Sequence, residues 1–253
     1  ASGTSSGATL LLGSEDATGV ANTFSTTLYT GNGGTQTITN GIDLDGEGGL
    51  VWIKSRTEGT YGGHALFDTE RGPNKVLTSS GDSGVSATMA EVTSSLTSQD
   101  LTSFNSNGFS LGPDYYFTKN TNGQDYASWA WRKAPKFFDV VTYTGDGTNG
   151  RLVSHNLGSV PGAIILKTTS TTGSWPVYHR SLSYDNASWV QNMFLNSTGP
   201  EGGYGRFSPH ASQTATHFSL YNDGNANGVE YVAYLFAHDT DASSIIKCGS
   251  YTG

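Results

Sequence analysis

The sequence predicts an all-β protein built from two tandem β-sandwich modules of the jelly-roll or lectin-like kind. Three observations predict this fold class: short runs of β-branched and aromatic residues, turn signals between those runs, and a set of landmarks that occurs twice. No segment has a convincing amphipathic helical period. Many short strands separated by glycine-containing turns are typical of sandwiches and jelly rolls.

The triplet Tyr-Thr-Gly marks the repeat, and it begins at residues 29, 143 and 251. The intervals are 114 and 108 residues (143 − 29 and 251 − 143). Further landmarks keep the same order in both copies: Leu50–Lys54 and Ala163–Lys167, Phe109–Leu111 and Phe218–Leu220, Tyr126–Trp131 and Tyr231–Phe236. Because repeats lengthen a surface rather than assemble one pocket, this pattern favours an array of modules over a compact enzyme.

The repeat also predicts the domain boundaries. Residues 29–136 form the first β-sandwich module, residues 137–250 form the second, and residues 251–253 begin a third repeat. Residues 1–28 are an N-terminal segment, for which the end of a preceding module is one interpretation. Because Pro135 restricts the backbone between the modules, we expect a short, semi-rigid joint there.

The apolar patterns distinguish two kinds of strand. Leu50–Lys54 and Ile164–Lys167 are nearly continuous apolar runs, which predicts strands buried on both faces. Phe109–Leu111 and Phe218–Leu220 alternate with a period of two, which predicts half-exposed strands. Tyr231–His238 is the strongest strand signal in the chain.

Composition and charge narrow the function classes. The chain has 253 residues, of which 11% are aromatic and only 13% charged, so it does not have the composition of a disordered protein. With a formal net charge of −8 and no basic stripe, the sequence disfavours nucleic acid as a partner. No apolar run approaches the roughly 20 residues that a membrane helix requires, so no membrane insertion is expected.

One acidic cluster is a candidate metal site. Asp43, Asp45 and Glu47 alternate around Gly46, and alternation can direct three carboxylates into one cup suited to Ca²⁺. The complete EF-hand pattern is absent, and the second module lacks the triplet. A solvated turn is therefore the competing interpretation, and no other cofactor is predicted.

Aromatic residues in loop-like stretches are candidate ligand contacts. Four tyrosines lie in glycine-rich or aromatic stretches and are candidates for glycan binding: Tyr61, Tyr115, Tyr116 and Tyr204. Contact with another subunit is the alternative role for these tyrosines.

Trp129 and Trp131 share one side of a predicted strand, where a pair of indoles could hold sugar rings. Their counterparts Tyr234 and Phe236 keep aromatic bulk but lose the indole. This difference favours packing in the core over a sugar platform.

His64 and His179 are interpreted as occupying similar places in the two modules. Neither is accompanied by a nucleophile elbow, a zinc-binding helix or a phosphate loop, so hydrogen bonding within the fold is favoured over general-base catalysis. Glu70 and Arg71 are interpreted as a local ion pair.

A set of phrases in fixed order carries a family resemblance. The phrases are Glu47–Lys54, Phe67–Gly72, Leu101–Phe109, Ser154–Gly158, Val177–Leu182 and Tyr231–Ala237, after an opening Tyr-Thr-Gly-Asn-Gly. Together they resemble the repeated domain of tail-associated proteins of marine tailed bacteriophages, over about residues 29–253. The resemblance implies a virion structural protein of the tail or its fibres, outside the cell, with a lectin-like β-sandwich fold. It implies no catalytic residues.

The resemblance also implies the partners. Other virion tail proteins, further copies of the chain in a homo-oligomer such as a trimer, and a host-surface glycan or protein are expected. Repeated modules would add weak contacts into useful avidity. Two alternatives remain: a purely architectural protein without a ligand, and a polysaccharide depolymerase, whose carboxylates would come from the Asp43–Glu47 cluster or from Asp68 and Glu70.

Overall fold

The computed structural model describes residues 19–57, 63–81, 86–114, 119–186, 189–238 and 245–250. Within these residues the chain is nearly all β, which confirms the predicted fold class. The helices of this described part are α1 (Val20–Thr23) and two short 3-10 helices, His210–Ser212 and Asn222–Gly224. None of them is long and apolar enough to cross a membrane.

Eighteen strands are described, nine of them in the N-terminal half (residues 24–132). These are β1 (Phe24–Thr30), β2 (Gln36–Thr39), β3 (Gly49–Ser55), β4 (Ala65–Asp68), β5 (Lys75–Thr78), β6 (Val92–Thr93), β7 (Leu101–Asn105), β8 (Gly108–Leu111) and β9 (Asp125–Arg132). They form a six-stranded sheet in the order β1-β9-β3-β4-β5-β6 and a three-stranded sheet in the order β2-β8-β7.

The other nine described strands lie in the C-terminal half (residues 138–237). These are β10 (Phe138–Thr144), β11 (Arg151–Ser154), β12 (Pro161–Thr168), β13 (Pro176–His179), β14 (Tyr184–Asn186), β15 (Trp189–Phe194), β16 (Gly202–Phe207), β17 (His217–Leu220) and β18 (Glu230–Ala237). Their order is β10-β18-β12-β13-β15-β16-β17-β11, and β14 pairs with β15.

The two halves repeat one strand order. The series β10-β18-β12-β13 follows the order of β1-β9-β3-β4, and β16-β17-β11 follows that of β7-β8-β2. The register repeats too, because Tyr29 lies opposite Tyr126 in the first half and Tyr143 opposite Tyr231 in the second. The described pairings also differ between the halves. In the C-terminal half β15 pairs with β16 and so joins the two parts of its sheet, and β14 pairs with β15 from the preceding side of the chain, whereas β6 follows its partner β5.

Each half encloses its own apolar core. In the N-terminal half, Ile38 and Phe109 from the three-stranded sheet belong to the same buried cluster as Val51, Phe67 and Tyr126 from the six-stranded sheet. In the C-terminal half, the corresponding cluster includes Val153, Phe218, Ile164, Tyr178 and Tyr231.

A third buried cluster, the shared core, lies between the halves. Its N-terminal members are Leu50, Leu66 and Leu77, and its C-terminal members are Phe138, Val140, Trp175, Val232 and Tyr234, joined by Ala134 and Phe137 of the connection. These residues come from equivalent sheets, β3-β4-β5 and β10-β18, so the halves pack face to face. Burial of this apolar area stabilises the pairing of the halves.

The shared core explains why β3 has buried residues on both of its faces. Val51 and Ile53 point into the core of the N-terminal half, whereas Leu50 and Trp52 point towards the C-terminal half. The sequence-based prediction for this strand is therefore confirmed, with only Lys54 exposed.

The joint between the halves is short. Ala134 and Phe138 form an isolated antiparallel bridge, which reverses the chain within a few residues. Lys136 has a φ of 60°, and its N–H donates to Leu157 O at 2.6 Å. These bonds tie the joint to the C-terminal half.

Candidate functional site at the junction of the halves

A cluster of charged side chains is buried where the two halves meet. Asp68 is fully buried at the end of β4, and Arg71 Nε donates to its Oδ2 at 2.6 Å. From the other half, the hydroxyl of Tyr234 donates to the same oxygen at 2.8 Å. Arg71 Nη1 also donates to Glu91 Oε2 at 3.1 Å, and Nη2 donates to Leu66 O at 3.1 Å. One carboxylate therefore connects the two halves.

Burial and charge act in opposite directions on Arg71. Burial disfavours its cation, but the negative charge of Asp68, supported by Tyr234 and Glu91, outweighs burial, so the pKa of Arg71 is raised. Burial also raises the pKa of Tyr234, which keeps its hydroxyl protonated as a donor. Because neighbouring groups satisfy both charges, the cluster can stay ionised inside the protein.

The fully buried side chain of Trp175 is a second connection between the halves. Its Nε1 lies 2.8 Å from Thr78 O and 2.8 Å from Ala87 O, both in the N-terminal half, so its one N–H is shared between two carbonyls. Its ring belongs to the shared core. Trp175 therefore combines a large apolar contact with a polar contact that fixes the position of the ring.

A lysine that has no carboxylate partner among the described residues lies beside this tryptophan. Lys167 is fully buried; its Nζ donates to Gly173 O at 2.8 Å and to Thr88 O at 3.3 Å. The ammonium also lies 5.9 Å from the centre of the Trp175 ring, within the range of a cation–π contact. Burial lowers the pKa of Lys167 to about 8.

The lowered pKa of Lys167 predicts a pH-dependent stability. Below pH 8 both the folded and the unfolded chain carry the proton, and burial of the charge destabilises the fold. Between about pH 8 and pH 10.5 the folded chain loses this proton first, so the contribution of Lys167 to the free energy of unfolding rises with pH. The full change is on the order of 3 kcal/mol.

Urea unfolding of the wild type and of Lys167→Met at pH 7, 8, 9 and 10 measures this change as the difference between their free energies of unfolding. The contributions of titrating groups that both proteins share cancel in this difference. Lys54 is the register equivalent of Lys167 but is exposed, so Lys54→Met is the matched control. We expect the wild type to gain stability relative to Lys167→Met as the pH rises, with no such trend against Lys54→Met. Parallel pH curves for the wild type and Lys167→Met would contradict the assignment.

A polar cleft opens beside the buried cluster. It consists of two adjoining cavities of about 330 Å³ and about 200 Å³ that share Glu70 and Thr142 in their walls. Glu70 Oε1 is paired with Lys133 Nζ at 2.6 Å, and Glu91 with Lys75 Nζ at 3.6 Å. Because Glu70 and Glu91 are already paired with lysines, their charges are balanced within the protein. The cleft is therefore better suited to binding a polar ligand by hydrogen bonds than to binding a cation.

The edge of β10 forms part of this cleft. Phe137 O accepts from Ala237 N–H, and Gly145 N–H donates to Val229 O, so the odd-numbered residues of β10 pair with β18. The peptide groups of Thr142 therefore point the opposite way, towards the cleft in whose wall Thr142 lies. Around Thr142 the described residues place no further strand on this edge of β10, and such an edge offers alternate donors and acceptors to an extended ligand.

Each half has a loop held by a buried asparagine, and we call these loops the asparagine latches. In the first, Asn120 is fully buried and its Nδ2 donates to Gly34 O at 2.6 Å and to Gly112 O at 3.0 Å, while its Oδ1 accepts from Asn32 N–H. Gly31 of the Tyr-Thr-Gly triplet lies so close to this segment that a Cβ would meet Thr121 O at 2.3 Å.

The second latch repeats the first. Asn225 is fully buried, its Nδ2 donates to Thr148 O at 2.8 Å, and its Oδ1 accepts from Asp146 N–H at 3.2 Å. A Cβ on Gly145 would meet Ala226 O at 2.0 Å. The glycine in both triplets is thus required by close backbone approach, which explains why the repeat is recognisable there.

Replacing a latch asparagine by alanine is expected to destabilise the protein by on the order of 2 kcal/mol, because buried backbone groups lose their partners. Asn120→Ala and Asn225→Ala test the two halves separately in urea unfolding. Asn122→Ala is the control, since Asn122 is exposed in the same loop. The latch would have no structural role if Asn120→Ala and Asn122→Ala had equal effects.

The family match covers both halves. Residues 20–253 match a family described as Domain of unknown function (DUF7483). The chain belongs to the DUF7483 family. No curated protein and no solved structure matches the chain. Since the match begins before β1 and ends after β18, the DUF7483 unit contains both copies of the repeated strand order together with the junction between them.

The predicted calcium cluster lies just before β3 in this DUF7483 domain. Asp43 Oδ1 accepts from Gly46 N–H at 2.8 Å, which forms a turn, and Glu47 Oε1 lies 3.7 Å from Arg132 Nη1. Among the residues that the structure describes, no group of three carboxylate, histidine or cysteine side chains could hold a metal ion. Asp43 and Glu47 thus have partners of their own in this structure, as the competing interpretation of a turn predicts. Calcium binding by Asp43, Asp45 and Glu47 stays a prediction.

The predicted tyrosine contacts stay predictions. Tyr61, Tyr115 and Tyr116 lie outside the described residues. Tyr204 lies in β16, but its side chain is not among those described.

The two histidines are not equivalent, contrary to the sequence-based interpretation. Asp68 pairs with Leu50, and His179 pairs with Ala163, which is the register equivalent of Leu50, so His179 corresponds to Asp68. His64 Nδ1 accepts from the indole N–H of Trp52 at 2.8 Å. Burial, followed by the charges of Lys54 and Lys119, lowers the pKa of His64 to about 4. This histidine is a neutral acceptor within the fold.

The tryptophan and ion-pair predictions have mixed outcomes. Trp131 packs against the shared core, with its ring centre 6.2 Å from that of Phe236, whereas Trp129 is half-buried. Arg71 pairs with Asp68 and Glu91, whereas Glu70 pairs with Lys133, so the expected Glu70–Arg71 pair is wrong.

Proposed function

We propose that this DUF7483 chain is a structural protein of a bacteriophage tail or tail fibre, built from two tandem β-sandwich modules that attach to the host surface. The observation that carries the proposal is the repeated strand order whose two copies pack face to face around a shared core. Such a unit is stiff and presents its loops in two copies. The ordered phrases of the sequence, which resemble repeated tail-associated domains, supply the virion context.

The chemistry of the junction supports a structural role. Its charged groups are used to join the halves: Arg71 binds Asp68, and Tyr234 reaches Asp68 from the opposite half. Attachment would then depend on loops and on the polar cleft, and several copies in an oligomer, for which a trimer is one arrangement, would add their weak contacts. The partners would be other tail proteins and a host-surface glycan or protein.

Two measurements test the proposal. Immunogold labelling of intact particles with antibodies to the purified chain is expected to mark the tail, and a label on a bacterial surface layer or pilus would overturn the virion assignment. The purified chain is also expected to bind host cells in competition with free surface glycans. Binding to particles without binding to cells would favour a purely architectural protein, and cleavage of host polysaccharide would favour the depolymerase alternative.

A further inference from the structure

A cavity lies at the end of the C-terminal half, away from the junction cluster. It has a volume of about 370 Å³ and is lined by Val160, Pro161, Tyr178, Arg180, His210 and His238. The cavity sits where β12 begins and where β13 and β18 end. Its volume falls within the range of roughly 300–1,000 Å³ that is typical of small-molecule sites.

Hydrogen bonds fix both imidazoles of this cavity. His210 Nε2 donates to Leu182 O at 2.9 Å, so Nδ1 of the neutral ring accepts the hydroxyl proton of Tyr178 at 2.8 Å. Cys248 N–H donates to His238 Nδ1 at 3.1 Å, which places the proton of neutral His238 on Nε2. For this Nε2–H the described residues supply no acceptor.

Arg180 adds a positive charge to the same cavity. Its backbone N–H donates to Gly162 O at 2.9 Å, which holds the residue just after β13. Its guanidinium has no hydrogen-bond or ion-pair partner within the part of the chain that the structure describes. Burial, followed by the positive charge of Arg180, lowers the pKa of His179.

The cavity thus combines an apolar rim with two donors, Arg180 and His238 Nε2–H, whose acceptors are not among the described residues. Arg180 and the Nε2–H of His238 can both donate to an oxyanion, and a guanidinium fork matches the geometry of a carboxylate or phosphate. Val160 is 47% exposed beside Pro161 and offers an apolar surface for a carbon skeleton. These two donors make the cavity locally suited to an anion, although the formal net charge of the chain is −8.

We propose that this cavity binds a sugar carrying an oxyanion, with Arg180 pairing with the anion and His238 donating a second hydrogen bond. Arg180 and His238 of the cavity bind the anionic group. The identification of the molecule that bears this group as a surface sugar rests on the proposed attachment function. A carboxylate of a uronic acid and a phosphate ester share this chemistry.

Isothermal titration calorimetry of the full chain with glucuronic acid, glucose 6-phosphate and glucose separates the two sources. Binding of at least one charged sugar, with glucose much weaker, is expected. Arg180→Gln should weaken that binding by about tenfold or more, since a hydrogen bond to a charged group is lost. Arg180→Lys should have an intermediate effect. Arg56→Gln, which removes an exposed arginine in the N-terminal half, is the matched control and should bind as the wild type does.

Equal binding of glucose and the charged sugars, no binding of either charged sugar, or equal binding by Arg180→Gln and the wild type would each overturn the inference. Because Arg180 is exposed, an unchanged melting temperature should verify that its variants fold. If the chain binds host cells but Arg180→Gln binds them equally well, the site is wrong and the attachment function stands. If charged sugars bind through Arg180 but host cells do not bind the chain, the site stands and the attachment function fails.

Discussion

Replacing Trp175 by alanine is expected to lower the free energy of unfolding by about 3–5 kcal/mol. The fully buried indole fills the shared core, and its N–H lies within hydrogen-bond distance of Thr78 O and Ala87 O of the opposite half. The variant would lose a large apolar contact and leave the buried carbonyl of Thr78 and the half-buried carbonyl of Ala87 without this donor. Urea unfolding, followed by circular dichroism, measures the loss.

The control for Trp175 is Trp189, a half-buried indole in β15 whose ring centre lies 5.3 Å from that of Tyr221, with the two rings tilted by 38°. Trp189→Ala is expected to cost clearly less than Trp175→Ala, because less apolar area is returned to water. A loss below about 1 kcal/mol in Trp175→Ala would contradict the role of the shared core.

Replacing Arg71 by methionine is expected to cost about 3–5 kcal/mol, because it leaves the carboxylate of Asp68 buried without its cationic partner. The hydroxyl of Tyr234 and the backbone N–H of Arg71 are the remaining donors to that carboxylate. Neutralising it in the double variant Arg71→Met/Asp68→Asn should recover part of the loss. Urea unfolding of the single variants and the double variant measures this coupling.

The control for the buried pair is the exposed pair of Glu70 and Lys133. Glu70→Gln is expected to cost less than about 1 kcal/mol, since water screens exposed charges. Should Arg71→Met prove as mild as Glu70→Gln, the buried cluster would not hold the halves together.

Much of the fold follows from the spacing of landmarks in the sequence. The order of the repeated landmarks predicts that Tyr126 and Tyr231 are equivalent, and the structure places them opposite Tyr29 and Tyr143 in matching registers. Apolar residues occupy both odd and even positions from Leu50 to Ile53, and successive side chains of a strand point to opposite faces. This pattern predicts that β3 is buried on both faces. Each of these signals comes from residues close together in the sequence. The alternation of side chains along a strand is therefore enough to predict the structure from them.

The junction of the halves could not be predicted in the same way. Arg71 lies three residues from Asp68 but 163 from Tyr234, and only tertiary packing brings the tyrosine to that pair. The burial of Lys167 and the exposure of Lys54 show the same limit, since equivalent positions of a repeat acquire different environments once the halves dock. A pattern gives the face of a strand, not the partner that covers it.

The latch asparagines were missed although a signal for them exists. Asn120 and Asn225 each begin an Asn-x-Asn-Gly phrase that precedes a strand tyrosine by a constant six residues (126 − 120 and 231 − 225). The Asn-Gly pair that ends each phrase predicts a turn. The turn signal alone does not predict that the first asparagine of the phrase is buried. A polar residue that recurs at one register of a repeat is a candidate for a buried hydrogen-bonding role.

Differential scanning calorimetry of the full chain tests most directly whether the two halves form one cooperative unit. The shared core and the Asp68–Arg71–Tyr234 cluster predict a single transition, whose calorimetric enthalpy equals its van't Hoff enthalpy. They also predict that Trp175→Ala moves the whole transition to lower temperature. Two separate transitions in the wild type, of which Trp175→Ala shifts only one, would contradict this account.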